Sequence, residues 1–274
     1  MPELYLVFIF GAIVGSFLNV CIYRIPREVS IVFPPSACTS CGAKIKFYEN
    51  IPLVSYIFLR GRCSACKEKI SPRYFFIELL TALMAAALFY FFKNYYIFFY
   101  YFAFISALIV VFFIDLDHKL IFDEITYSLA IAGILGSLFL PEILLSGTNG
   151  ILFWKLNNLH FCNFLNAVAG SALGMFFFWA VRFFGTLAFR QEAMGLGDVK
   201  LAMMIGAFLG PQKAFLSFFI AFFIGAISAV YLMLFFKKKG RDEIPFGTFM
   251  AIGAVLAVFF GDIIIQIYGR YLII

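Results

Sequence analysis

The sequence predicts an all-α polytopic membrane protein with about eight transmembrane helices and a small cytoplasmic four-cysteine domain between the first and second. Three observations carry that expectation. Of the 274 residues, 64% are hydrophobic and 13% charged, with 40 phenylalanines among them. A soluble domain of this size has too little interior for that much apolar side chain, so lipid must cover the remainder. Second, the apolar residues gather in runs at about 4–23, 76–92, 95–114, 126–145, 164–184, 199–211, 214–236 and 248–268. Most of these approach the roughly 17–25 residues that cross a bilayer as a helix. Third, the basic residues sort by side. Alternating the spans puts 17 Lys and Arg on one face, taken as cytoplasmic, and only Lys93, Lys155, Lys213 and Arg270 on the other. Without the long first loop the count is still 8 against 4, the asymmetry that orients membrane proteins. The formal charge of +6 therefore encodes topology and gives no reason to expect nucleic acid.

The first run is preceded by Glu3 and followed by Arg24 and Arg27. A signal peptide has its positive charge before the apolar stretch, so residues 1–23 are expected to stay as a first helix with the N-terminus outside. Residues 24–75 form the soluble domain and 76–274 the main membrane domain. The loop at about 146–163, with Gly147, Asn149, Gly150, Asn157 and Asn158, reads as an external turn region. The sixth run is short, and Gly210-Pro211 suggests that it tilts into the seventh.

The soluble loop is too small to hold itself with a hydrophobic core. It carries Cys38-x-x-Cys41 and Cys63-x-x-Cys66, two hooks separated by 21 residues. That spacing resembles a zinc ribbon, in which four thiolates close a tetrahedral structural site with no open position for catalysis. Two disulfides are the alternative, disfavoured in a reducing cytoplasm. Gly42 follows the first hook and Gly61 precedes the second, both suited to tight turns. Cys21, at the end of a span, and Cys162, in an external loop, are expected to be inert.

Carboxylates at membrane depth are costly and usually functional. Asp115 ends the apolar run Ala107–Ile114, and Asp198 opens another after Gly195-Leu196-Gly197. The topology sets both at the cytoplasmic boundary, 83 residues apart in sequence. Two neighbouring carboxyl groups resist double ionisation, so one serves as general base and the other as general acid. The glycines before Asp198 allow unusual backbone angles and close approach of a substrate chain. Taken alone, either aspartate could be a solvated interfacial charge. Asp117 is expected to be hydrated, Asp123 to cap the fourth span, and His118 to lie at the surface.

These residues resemble those of the bacterial prepilin peptidases, the type IV leader peptidases, in order along nearly the whole chain. Gly15-Ser16-Phe17-Leu18-Asn19-Val20 with Tyr23-Arg24-Ile25-Pro26 is similar to the N-terminal signature. The cysteine hooks, Asn50-Ile51-Pro52, Leu59-Arg60-Gly61-Arg62-Cys63 and Ser71-Pro72-Arg73 resemble the cytoplasmic domain. Ile114-Asp115 with Asp123, Met194–Leu201, and Ile244-Pro245-Phe246-Gly247 resemble the membrane motifs. Phe122 departs from the family, which usually has proline there; this bears only on the local turn.

The resemblance implies a multi-pass enzyme of the bacterial inner membrane, its active site facing the cytoplasm, that cuts leaders from prepilins or pseudopilins. Family substrates carry glycine before the cut and usually phenylalanine after it. Asp115 and Asp198 take the catalytic roles, with Gly195, Gly197, Asp123 and Lys200 in support. Many members also N-methylate the new terminus with S-adenosylmethionine. Candidate donor-binding residues are Glu49, Asn50, Arg60, Arg62, Arg73 and Glu78, each of which could equally cap a turn or snorkel to lipid phosphate. No glycine-rich dinucleotide loop is visible. A transporter with a regulatory zinc ribbon and a non-catalytic assembly factor are the competing classes. Acidic residues confined to one face count against the transporter, and dispensable aspartates would distinguish the assembly factor.

Overall fold

In the computed structural model, residues 2–140, 159–192, 194–236 and 245–272 are described. Among them the regular structure is helical apart from two isolated antiparallel bridges. The helices are α1 (Pro2–Arg24), α2 (Val54–Phe58), α3 (Pro72–Phe92), α4 (Tyr95–His118), α5 (Asp123–Gly136), α6 (Leu159–Phe189), α7 (Leu196–Phe236) and α8 (Phe246–Leu272). Six of them, α1, α3, α4, α6, α7 and α8, are long and apolar enough to cross a membrane, and the chain is a multi-pass membrane protein.

Seven of the eight predicted apolar runs fall wholly on helices, and the fourth begins on one. The sixth and seventh are two halves of α7, joined at Gly210, whose backbone leaves the helix at φ 70, ψ 175. Pro211 has no N–H to donate and its ring crowds the preceding turn, so the break falls where the sequence placed it. α5 has 14 residues and ends in a 3-10 turn at Ser137–Phe139. The remainder of that predicted span, the loop glycines and asparagines from Gly147 to Asn158, Lys155, the Lys237–Arg241 cluster and Ile244 lie outside the described residues. α6 begins before the predicted start and takes in Cys162, which is buried in the helix and not in a loop. Lys213, placed by the sequence on the face opposite the aspartates, follows the break at Gly210 by three residues. The chain reverses there, since Ala202 and Phe218, from the two halves of α7, both meet Gly174 of α6. The Lys213 side chain is 1% exposed and its Nζ reaches Asp262 Oδ2 at 2.8 Å.

The chain forms two compact units, Met1–Val110 and Val111–Ile274. In the first, α1 packs on α3 through a seam of small residues. A Cβ added to Gly11 would stand 2.7 Å from Ala85 Cβ, and one on Gly15 2.8 Å from Glu78 Cα. Backbones approach this closely in lipid because apolar tails supply no hydrophobic drive and contact must come from shape. Asn19 Nδ2 donates to Tyr74 O at 3.1 Å and anchors the same pair of helices. In the second unit, α7 packs against both α6 and α8. Gly170 on α6 and Gly206 on α7 face each other so tightly that a Cβ on either would collide with the other's carbonyl. Gly253 on α8 meets Ser217 O of α7 in the same way. Glycine-tight crossings thus hold α6, α7 and α8 together.

Candidate functional site

Asp115 lies in the last turn of α4, in the second unit, and is 4% exposed. Its Oδ2 accepts the N–H of Thr248 at 2.9 Å. Thr248 belongs to the first turn of α8, where amides have no partner within the helix. Asp115 therefore satisfies from α4 a donor that α8 cannot satisfy itself, and the positive end of the α8 dipole favours a carboxylate there. The Thr248 hydroxyl turns back to Pro245 O at 2.7 Å and fixes that turn.

Asp198 occupies the first turn of α7 and lies within electrostatic reach of Asp115. Ile121, in the turn between α4 and α5, packs at the join. A Cβ on Gly247 would stand 2.8 Å from Asp115 Oδ2 and 3.0 Å from Ile121 Cδ1, while one on Gly197 would stand 2.9 Å from Ile121 Cβ. Gly197 and Gly247 thus let α7 and α8 close around Ile121 beside the two carboxyl groups. The use of the glycines differs from the sequence expectation in one respect. Neither Gly195 nor Gly197 is among the residues of positive φ, so it is close approach and not an unusual backbone angle that Gly197 provides. A Cβ on Gly195 would be in ordinary contact, 3.5 Å from Asp198 Oδ2, so no close approach requires glycine at that position.

Asp123 does not cap α5 with its side chain. Phe122 is the N-cap residue and Asp123 the first residue of the helix. The carboxylate instead takes both oxygens to Lys200 Nζ at 2.6 Å and ties α5 to α7 two residues beyond Asp198. Phe122 sits at φ −84, ψ 135, angles close to those a proline holds, so its departure from the family pattern leaves the turn intact. Asp117 and His118 are exposed, as expected. The signal missed in the sequence is Thr248, whose backbone N–H makes the contact and which has no chemistry-bearing pattern around it.

In the first unit the four thiols of Cys38, Cys41, Cys63 and Cys66 lie within 4.8 Å of one another, and all six cysteines are free of disulfides. Each hook is a closed knuckle. Cys38 N donates to Ala43 O and Gly42 N to Cys38 O, both at 2.9 Å. Cys63 N donates to Glu68 O at 2.9 Å, and Lys67 N to Cys63 O at 3.1 Å. The bridges Ala37–Lys44 and Arg62–Lys69 seal the two turns. Four sulfurs around one zinc at about 2.3 Å stand about 3.8 Å apart, and Cys38 Sγ lies 3.9 Å from Cys66 Sγ. The donor set fits a tetrahedral metal. Backbone N–H groups at Cys41 and Ser40 lower the Cys38 thiol to about 6. Cys66 is favoured as thiolate by a backbone N–H at Glu68, but desolvation and the three neighbouring sulfurs raise it to about 12. Crowded thiols of this kind give up their protons together only to a cation.

Between the knuckles, α1 and α3 lies a cavity of about 500 Å³, within the range that holds a cofactor. Of the sequence candidates, Glu49, Asn50 and Glu78 line it, while Arg60, Arg62 and Arg73 are not among its walls. Ser16, Asn19, Tyr56 and Tyr74 join them. A second, mostly apolar groove of about 740 Å³ runs along α1 and shares Ser16 and Arg24 with the cavity. The guanidinium of Arg24 donates to Ser30 O at 2.8 Å and Pro34 O at 2.7 Å, folding the loop back onto the end of α1.

Comparison with known proteins gives a consistent result. Residues 9–92 match the bacterial peptidase A24 N-terminal domain, and residues 102–230 match the type IV leader peptidase family. A prepilin leader peptidase/N-methyltransferase of Pseudomonas aeruginosa is 31% identical, over 95% of this chain and 91% of its own. One of Aeromonas hydrophila is 32% identical, over 98% and 95%. Another, of Myxococcus xanthus, is 36% identical over 85% of this chain and 64% of its own. No solved structure matches.

Proposed function

The chain belongs to the type IV leader peptidase family, and from that premise we propose that it cleaves the leader from prepilins or pseudopilins and N-methylates the new terminus. The observation that supports an aspartic mechanism is the meeting of Asp115 and Asp198 around Ile121, at the end of α4 and the starts of α7 and α8. The charge-complemented carboxylate, Asp115, acts as general base on a water held between the pair. Asp198 donates a proton to the departing amine. The tetrahedral species collapses without a covalent acyl-enzyme. Lys200 and Asp123 keep α5 and α7 in register at that point. The basic-residue asymmetry supports an active site facing the cytoplasm of a bacterial inner membrane, with the substrate's apolar segment in lipid and its basic leader in water.

The four cysteines would hold a structural zinc, whose binding supplies folding energy to a loop with little core of its own. S-adenosylmethionine, when bound, supplies an electrophilic methyl group on a sulfonium. The cavity between the knuckles, α1 and α3 is the site proposed for it, with Glu49 and Asn50 among its polar walls.

Mass spectrometry of a prepilin incubated with the purified protein and S-adenosylmethionine tests the reading. Cleavage after glycine should drop by about 10³-fold or more in Asp115→Ala and in Asp198→Ala, and the wild-type product should carry one added methyl. Cleavage that survives in either variant overturns the aspartate assignment. Absence of cleavage by the wild type, beside an active relative, favours the non-catalytic assembly factor.

A further inference from the structure

Glu78 is the one carboxylate on the cavity wall contributed by a membrane-spanning helix. It stands two turns into α3, whose residues beyond it up to Phe92 are uncharged, so leaving a carboxylate there is costly unless it has partners. One partner is unusual. Glu78 Oε2 accepts the N–H of Leu53 at 2.8 Å, and Leu53 holds φ 63, ψ −48, a backbone state that a branched side chain rarely adopts. The loop spends conformational strain to aim that amide at Glu78, and such strain gathers at functional sites. The hydroxyl of Ser16 also bonds to this carboxylate; Ser16 lines both the polar cavity and the apolar groove, and Leu53 lines the groove. Glu78 therefore sits where polar space gives way to apolar space.

Resting on the methyltransferase reading above, we propose that Glu78 binds the ammonium group of the newly formed substrate N-terminus and presents it for methylation. The placement favours the peptide's ammonium over that of the methyl donor. A mature substrate begins with its amine and continues at once into an apolar segment, which matches a carboxylate at the membrane end of the cavity. The donor carries carboxylate, ammonium and ribose hydroxyl groups and matches the polar walls at Thr39, Ser40, Lys44 and Glu49, none of which lines the apolar groove. The ammonium must first lose one proton to water or to Glu78. The freed lone pair then forms the N–C bond to the methyl carbon while the S–C bond breaks. Its electrons return to sulfur, and neutral S-adenosylhomocysteine leaves. The methylated nitrogen is again cationic, and Glu78 holds it until release.

The test uses the full-length protein in detergent micelles and a short apolar peptide beginning with phenylalanine, prepared with a free and with an acetylated N-terminus. Binding is read by fluorescence anisotropy without any methyl donor. Wild type should bind the free-amine peptide about tenfold tighter or more. Glu78→Gln, whose amide oxygen can still accept from Leu53, should bind both peptides alike and leave prepilin cleavage and metal content unchanged. Glu78→Asp should restore part of the preference. A Glu78→Gln protein that keeps the full preference overturns the proposal. So does one that keeps it but loses binding of radiolabelled S-adenosylmethionine, which would assign Glu78 to the donor's ammonium. A wild type that prefers the free amine yet never methylates it supports the ammonium site and removes the methyltransferase reading on which it was built.

Discussion

The two units solve the problem of placing polar chemistry in an apolar protein by opposite means. In the second unit the carboxylates are positioned by helix ends, and the helices are fixed by backbone contacts at Gly170–Gly206 and Gly253–Ser217. In the first unit the polar cavity is walled by a loop whose order depends on four sulfurs and on residues of positive φ, among them Leu53, Arg60, Gly61 and Lys67. Packing in lipid makes a rigid site without a cofactor. A loop with little core needs an ion to do the same. The difference teaches that the two sites should fail separately, each under its own perturbation.

The largest separation is expected from removing the metal. Cys38→Ser combined with Cys63→Ser takes away two of four thiolates and with them a binding free energy on the order of 10 kcal/mol. Metal content by mass spectrometry should fall from one ion per chain to background, and methylation should be lost with it. Cleavage should fall by less than about tenfold, because Asp115 and Asp198 are held by helix packing. Normal methylation and normal cleavage in this variant would sink the idea that the knuckles order the cavity.

The converse perturbation is Gly247→Ala. The added Cβ would stand 2.8 Å from Asp115 Oδ2, so the carboxylate or α8 must shift. A displacement on the order of 1 Å at a catalytic group costs about 10²-fold in rate, while overpacking costs about 1–3 kcal/mol in stability. Cleavage of a prepilin should drop accordingly, with methylation of a free-amine peptide and metal content unchanged. A variant that cleaves at the wild-type rate would show that the α8 amide is not what places Asp115.

Legibility from sequence follows the same divide. Asp115, Asp198 and the cysteines were readable because each is costly where it stands: a charge at the end of an apolar run, or thiols at metal spacing. The apolar runs were readable by length, and the break in α7 by Gly210-Pro211. What escaped was anything made by backbone or by tertiary contact. The Thr248 N–H on Asp115 leaves no trace in side-chain type. Asp123 reads as a cap by position, yet pairs with Lys200 because α5 happens to lie against α7. Lys213 is legible as a residue beside the break, but its partner Asp262 comes from α8 and is set by packing. Arg60, Arg62 and Arg73 were candidates as polar residues of the loop that resembles the family, and which polar residues of that loop line one cavity is set by tertiary folding.

A smaller effect compares the knuckles with each other. The residue after the second cysteine takes a left-handed backbone in both, φ 70 at Gly42 and φ 63 at Lys67. The side chain at Lys67 costs about 1–2 kcal/mol in that state, offset in part by the greater chain entropy that a glycine would lose, about 0.5–1 kcal/mol. Lys67→Gly should therefore stabilise the loop by about 0.5–1 kcal/mol. The readout is a modest rise in the chelator concentration needed to strip the metal, with cleavage unaltered. A fall would mean that the lysine side chain contributes contacts that outweigh the strain.

The smallest effect is expected at the ion pair between Asp123 and Lys200. Its geometry is close, with both carboxylate oxygens 2.6 Å from Nζ, but the Asp123 side chain is 54% exposed. Pairs open to solvent are screened and contribute about 0–1 kcal/mol. Lys200 also reaches the Tyr127 ring at 5.5 Å, so a methionine in its place would keep most of the apolar contact and lose the charge. Lys200→Met should shift thermal stability by only a few degrees at most, and should lower cleavage about two- to threefold through looser registry of α5 against α7. Raising the salt concentration should weaken wild type toward the variant, since screening acts on the same pair. A loss of cleavage comparable to that of Asp198→Ala, insensitive to salt, would instead place Lys200 in contact with the reacting groups.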